Sequence, residues 1–169
     1  MIQHPIAPIF DKDSYILILG SFPSVKSREV GFFYGHPQNR FWKVLAAIFK
    51  ESVPQTITEK KAFLLRNNIA VWDVIQSCDI EGSSDSSIKN VVPNDLTEIL
   101  ASADIRQIYV NGKKAEELYK KYIFPHIHRE AVCLPSTSPA NAAWSVEKLV
   151  DEWGKLLKDL QIFRGQNNE

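Results

Sequence analysis

The chain has 169 residues, 44% of them hydrophobic, and its 20 basic residues balance 20 acidic ones. That size and apolar content suit a single domain spanning 1–169 around a well-buried core. The neutral balance excludes an all-over basic nucleic-acid binder while leaving room for a local positive rim. No apolar run approaches the roughly 18 residues of a membrane span, the N-terminus lacks the pattern of a secretion signal, and Cys78 and Cys133 are far apart, so a cytoplasmic protein with no membrane partner, disulfide framework or zinc site is expected.

In chain order, the first strong signal is Tyr15-Ile-Leu-Ile-Leu-Gly20, a short apolar run closed by glycine, the pattern of a strand buried on both faces. The connection from Gly20 to Arg40 is long, and Gly31-Phe-Phe-Tyr-Gly-His-Pro-Gln-Asn-Arg-Phe-Trp42 is too aromatic for a solvent loop and too broken by Gly and Pro for a helix. Phe41 to Phe49 then carries an apolar stripe at helical spacing, and Thr56-Ile-Thr-Glu59 reads as a capping box opening a helix over Lys60 to Arg66. Strand patterns return at Ile69–Val74, Ile105–Val110 and Ala131–Leu134. Between them, Asn94 or Asp95 caps a helix over Leu96 to Ala103, and Gly112 precedes one running to about Tyr122. Ser145 caps a final amphipathic helix with Val146, Leu149, Val150, Trp153, Leu156, Leu157 and Leu160 inside.

The alternation of strands and helices implies an α/β fold, a three-layer α/β/α sandwich around a four-stranded parallel sheet with right-handed crossovers. Ligands of such sheets bind outside the carboxyl ends of the strands. That rule selects Ser21–Ser24, the stretch from Ile75 to Ser87, Asn111-Gly112-Lys113 and Pro135–Asn141, all polar or Pro-rich, as the walls of one cleft.

Gly20-Ser-Phe-Pro-Ser24, the aromatic loop with His36-Pro-Gln-Asn-Arg-Phe-Trp42, and Leu134-Pro-Ser-Thr-Ser-Pro-Ala-Asn141 before a last helix together resemble the uracil-DNA glycosylase superfamily. The resemblance is closest to the mismatch-specific uracil glycosylases and, within these relatives, to the hypoxanthine-DNA glycosylase branch. It runs from Ile16 to about Trp153 and takes in Trp72-Asp73, Gly82-Ser-Ser-Asp85 and Asn111-Gly112 in order. It implies a monofunctional DNA glycosylase that initiates base excision repair by hydrolysing the N-glycosidic bond of a deaminated base, hypoxanthine first, with uracil and xanthine as further candidates. The implied partner is double- or single-stranded DNA carrying the damaged base, the protein acting as a monomer. No cofactor is expected, since hydrolysis needs only water and no metal-ligand cluster stands out in the sequence. One departure matters: Phe22 stands where the relatives' first motif places a water-orienting asparagine or aspartate.

The chemistry requires a positioned water, hydrogen bonds to the departing base and a grip on an extruded nucleotide. Asn39, whose amide both donates and accepts, is the catalytic candidate implied by the resemblance, against the simpler role of capping the helix near Arg40. Tyr34 matches the aromatic on which relatives stack the flipped base, whereas Phe32 and Phe33 suit the core better. Phe22, His36 and Asp73 are the further substrate-binding candidates, with packing, a structural hydrogen bond and an exposed turn carboxylate as their respective alternatives. Ser136 and Ser138, with Asn141, resemble the loop that grips the DNA backbone, while Ser24, Lys26 and Lys113 are candidates for phosphate contacts. Two other classes compete: a catalytically silent nucleic-acid or nucleotide-binding domain, which Phe22 favours, and a hydrolase pairing Ser21, Ser24 or Ser136 with His36, although no Gly-x-Ser-x-Gly elbow follows a strand.

Overall fold

The computed structural model describes residues 1–167. The chain opens with β1 (Ile2–Gln3) and β2 (Ile16–Gly20), followed by helices α1 (Val25–Val30), α2 (Phe41–Phe49) and α3 (Ile57–Arg66). Strands β3 (Ile69–Asp73), β4 (Ile75–Asp79) and β5 (Lys89–Pro93) lead to α4 (Thr97–Ser102). The remainder is β6 (Gln107–Asn111), α5 (Lys113–Tyr122), α6 (Phe124–Ile127), β7 (Ala131–Leu134), α7 (Val146–Trp153) and α8 (Lys155–Asn167).

The four apolar runs form one parallel sheet in the order β3-β2-β6-β7. Because side chains alternate across a strand, the run in β2 serves both faces of this sheet. Ile16 and Ile18 pack with Phe41, Leu45, Phe63, Leu149 and Trp153 from α2, α3 and α7, while Leu17 and Leu19 pack with Ile99, Leu118 and Tyr119 from α4 and α5. Helices therefore cover both faces, giving the expected three layers. Burying one such aliphatic side chain contributes about 1.5–3 kcal/mol, so the continuous apolar run favours a strand covered on both faces.

Three expectations need correction. The stretch after Ile75 is not all cleft loop: β4 pairs antiparallel with β1 and β5 in a second, three-stranded sheet. Gln76, Ser77 and Asp79 obscure that strand, and its pairing with β5 shifts register twice, so simple alternation fails. Within the Gly20–Arg40 connection, Val25–Val30 is helical, because Ser24 accepts from the Ser27 N–H at its start and Gly31, at φ +75°, closes its end. The final helix is two, α7 and α8, meeting at Gly154. Asp95 rather than Asn94 takes the turn before α4, accepting from the Thr97 N–H at 2.9 Å, and the Asn94 amide binds the carbonyls of Asp73 and Ile75.

No helix among the described residues is long and apolar enough to cross a membrane.

Candidate active site

The carboxyl ends of β2, β3 and β6 open into a cavity of about 130 Å³, closed by the aromatic loop before α2, the loop after β7 and the serine-rich turn before β5. Of the predicted residues, Phe22, Ser24, Tyr34, Asn39, Asp73, Ser136 and Ser138 line it. Residues from all four segments selected by the rule for open parallel sheets thus meet around one cavity.

Its floor is built on a close approach at Gly20. A Cβ there would lie 2.4 Å from Asp73 Oδ1 and 3.1 Å from the Tyr34 hydroxyl, so only glycine lets both groups reach the end of β2. Asp73 is not the exposed turn carboxylate of the alternative reading: it is 3% exposed, and its Oδ2 accepts from His4 Nε2 at 2.8 Å. His4 Nδ1 accepts from the Ile6 N–H at 3.2 Å, which leaves the proton on Nε2 and fixes the ring. Phe22, Phe33 and Trp72 surround that imidazole, with ring centroids 5.8, 6.0 and 6.4 Å away. The pair is therefore shielded by aromatics and fully directed, a setting in which hydrogen bonds are strong.

Tyr34 has a left-handed backbone, φ 52°, which turns its ring onto Phe41 in a parallel stack 3.9 Å between centroids. Its hydroxyl is buried with no hydrogen-bond partner among the described residues. Burial, and next the charge on Asp73, push the phenol well above its ordinary pKa against a smaller lowering by the nearby Asn111 side chain, so it remains a hydrogen-bond donor. The side chain thus brings a polar tip to the floor besides the ring face foreseen for stacking.

Asn39 makes a hydrogen bond at the start of α2, its Oδ1 accepting from the Phe41 N–H at 3.0 Å, and also reaches the cavity. With the oxygen engaged, the amide nitrogen is the group left to meet a ligand. The neighbouring Arg40 gathers the loop after β7: its guanidinium donates to the carbonyls of Thr137, Ser138 (2.9 Å), Asn141 (3.1 Å) and Trp144, and its backbone N–H also donates to Thr137 O. From below, Asn111 and Thr137 exchange two hydrogen bonds of 3.1 Å, and Trp153 Nε1 donates to Pro135 O at 2.9 Å. Ser136 Oγ accepts from the Ser138 N–H, and Ser138 Oγ from the Ala140 N–H, so the loop is rigid before any ligand arrives.

The serine-rich turn docks on the other rim. Val25 N–H donates to Ser83 Oγ at 2.9 Å, Arg28 donates to Gly82 O at 2.6 Å, and Ser21 Oγ–H to Asp85 Oδ1 at 3.3 Å. Asp85 consequently lines the cavity mouth. Desolvation raises its carboxyl above the usual range, opposed by the Ser21 hydrogen bond and the charge of Lys114.

Other candidates lie outside this cavity lining. His36 Nδ1 accepts from the Gln38 N–H, the structural alternative foreseen for it. Lys26 lies beside Glu29 at 3.9 Å, Lys113 opens α5 on the exterior, and Asn141 turns inward to donate to Ser136 O at 3.0 Å. Ser24, which does line the cavity, is also the α1 cap. No imidazole is hydrogen-bonded to Ser21, Ser24 or Ser136 among the described residues, so the serine-hydrolase arrangement is not assembled.

A parallel α/β sandwich with a polar cavity between two preformed loops at the carboxyl ends of its strands defines the class of the structure. The chain belongs to the uracil DNA glycosylase superfamily, whose family model matches residues 7–161. It is 34% identical over 155 residues to a protein of Methanosarcina acetivorans named hypoxanthine DNA glycosylase, covering 90% of this chain and 96% of that one. A protein of Methanosarcina barkeri with the same name is 33% identical over 154 residues, covering 89% and 95%. A solution NMR structure from Methanosarcina acetivorans, provisionally described as a uracil DNA glycosylase, superimposes with a TM-score of 0.81 at 32% identity, covering 95% of this chain and 99% of that one.

Proposed function

We propose that the protein is a monofunctional DNA glycosylase that hydrolyses the N-glycosidic bond of deaminated bases in DNA, with hypoxanthine the preferred one. The observation that carries this reading is the cavity floor. Asp73, pinned by His4, presents a carboxylate oxygen beside the unpartnered Tyr34 hydroxyl. A carboxylate acceptor beside a hydroxyl donor complements the N–H and C=O that deamination places side by side on a base edge. The names of the Methanosarcina relatives support the same choice.

In this reading the flipped base enters edge-first toward the Asp73 oxygen and the Tyr34 hydroxyl, and the Tyr34 ring, one face of which Phe41 covers, serves through its polar tip rather than as a stacking platform. The Asn39 amide nitrogen donates to the base as it leaves with negative charge. The loop held by Arg40 presents Ser136 and Ser138 to the DNA backbone. Lys26 and Lys113, outside the cavity lining, act as outer phosphate contacts.

The test is release of abasic sites from duplex and single-stranded oligonucleotides carrying hypoxanthine, uracil, xanthine or undamaged bases, scored by alkaline cleavage in the presence of chelator. Hypoxanthine DNA should be cleaved fastest and leave an intact abasic site. Tight binding without cleavage of any base would instead establish the silent DNA-binding reading that Phe22 allows.

A further inference from the structure

With the first-motif polar group replaced by Phe22 and the Asn39 oxygen committed to the Phe41 N–H, neither of the expected groups is free to take a proton from water. Two carboxylates line the cavity. Asp73 is locked at the floor by His4 and faces the space the base would occupy. Asp85 lies at the mouth, on a turn tied to the β2–α1 segment by three separate hydrogen bonds. A flipped nucleotide enters base first, so its sugar, still joined to the backbone, remains at the mouth.

We propose that Asp85 is the catalytic carboxylate that holds and deprotonates the attacking water, with Ser21 as its positioning residue. This rests on the glycosylase reading above. The C1′–N bond breaks with its electron pair leaving on the base, and an oxocarbenium-like sugar forms, which a nearby carboxylate stabilises as it does in glycoside hydrolysis. The water oxygen then bonds to C1′, and Asp85 takes its proton and returns one to solvent. The departed base recovers a proton, and the products are an abasic sugar hydroxyl and the free base. The side chain remains accessible to solvent, as a group that must meet a water has to be. Its raised pKa agrees with the role, because it brings the carboxylate closer to a useful proton acceptor.

Asp85→Asn keeps an oxygen that can accept from Ser21 and removes the charge. Single-turnover cleavage of a hypoxanthine duplex should fall by about 10²–10⁴, while binding of a duplex carrying an uncleavable 2′-fluoro analogue stays within a few-fold. In the parent, cleavage should decline as pH falls through the raised Asp85 pKa, and that acidic limb should be missing from the variant's residual rate. Lys114 from α5, Asp73 from β3, Tyr34 from the aromatic loop and Arg28 from α1 are the other ionisable groups around the cavity, and all are unchanged in the variant. Ser21→Ala, which leaves the carboxylate but frees it, should lose rate by a smaller factor with the acidic limb retained. An Asp85→Asn variant cleaving within a few-fold of the parent overturns the proposal. So does a rate loss matched by an equal loss of analogue binding, since Asp85 would then only shape the turn. If the parent cleaves none of the bases, the glycosylase reading itself has failed.

Discussion

Tyr34→Phe separates the two uses of this side chain. Stacking alone would leave the substitution silent, because the ring and its contact with Phe41 are kept. The structure predicts an opposed pair of effects, because the hydroxyl is buried without a partner. A buried unsatisfied polar group costs about 1–3 kcal/mol, so its removal should stabilise the free protein by that amount. For a domain of this length, that corresponds to a rise in Tm of roughly 2–12 °C. If the hydroxyl is reserved for the base, the same change leaves a base carbonyl unpaired and should slow single-turnover cleavage by about 10–100-fold. Thermal denaturation and single-turnover kinetics on one preparation measure both. A lower Tm would mean that the hydroxyl is satisfied in the free protein. A higher Tm with unchanged cleavage would remove the group from base recognition.

Arg40→Ala should destabilise the protein by about 2–4 kcal/mol, since several carbonyls of the loop after β7 lose a charged donor together; hydrogen exchange should show residues 136–144 opening first. Arg40→Lys should recover little of this, because an ammonium lacks the planar fork that serves separate carbonyls, and full recovery would disprove the clamp. Asn39→Asp keeps an oxygen for the Phe41 N–H and places negative charge at the start of α2, so folding should be preserved. Cleavage should nevertheless fall by about 10²–10³ for want of the amide donor, and an equally fast Asn39→Asp enzyme would reduce Asn39 to a cap.

Where burial is continuous, the fold can be read from sequence alone. The β2 run Ile16–Leu19 is buried at every position and was legible as a two-faced strand, and with it the cleft at the sheet's carboxyl end. Strand β4 was not legible, because its exposed and polar positions mimic a loop and its partner β1 is only two residues long. In the site, Asn39, Tyr34 and the serine loop could be found from motifs local in sequence. His4 could not, as it meets Asp73 across 69 positions and no periodicity signals that contact. Arg40 reaches about a hundred residues ahead to its carbonyls, and in the sequence it reads as one more surface cation. Asp85 lies in Gly82-Ser-Ser-Asp85, a segment the family resemblance takes in, but nothing local in the sequence shows what that turn docks against.

Phe22 acquires a different meaning from these contacts. Placed beside a helix and a polar cavity, a phenylalanine in the first motif reads as a lost catalyst. In three dimensions its ring meets His4 edge-on, and the Arg28 guanidinium lies 5.6 Å from its centroid, so it covers the imidazole that holds Asp73. A polar residue at this position would draw water toward the His4–Asp73 hydrogen bond. A dry floor makes hydrogen bonds to the base stronger, and it removes water from the only place where the first motif could have used it. The water must then be held elsewhere, at a wetter position near the sugar. The mouth of the cavity, where Asp85 lies against Ser21, is such a position, so the apolar ring at 22 and a carboxylate at 85 are two halves of one arrangement.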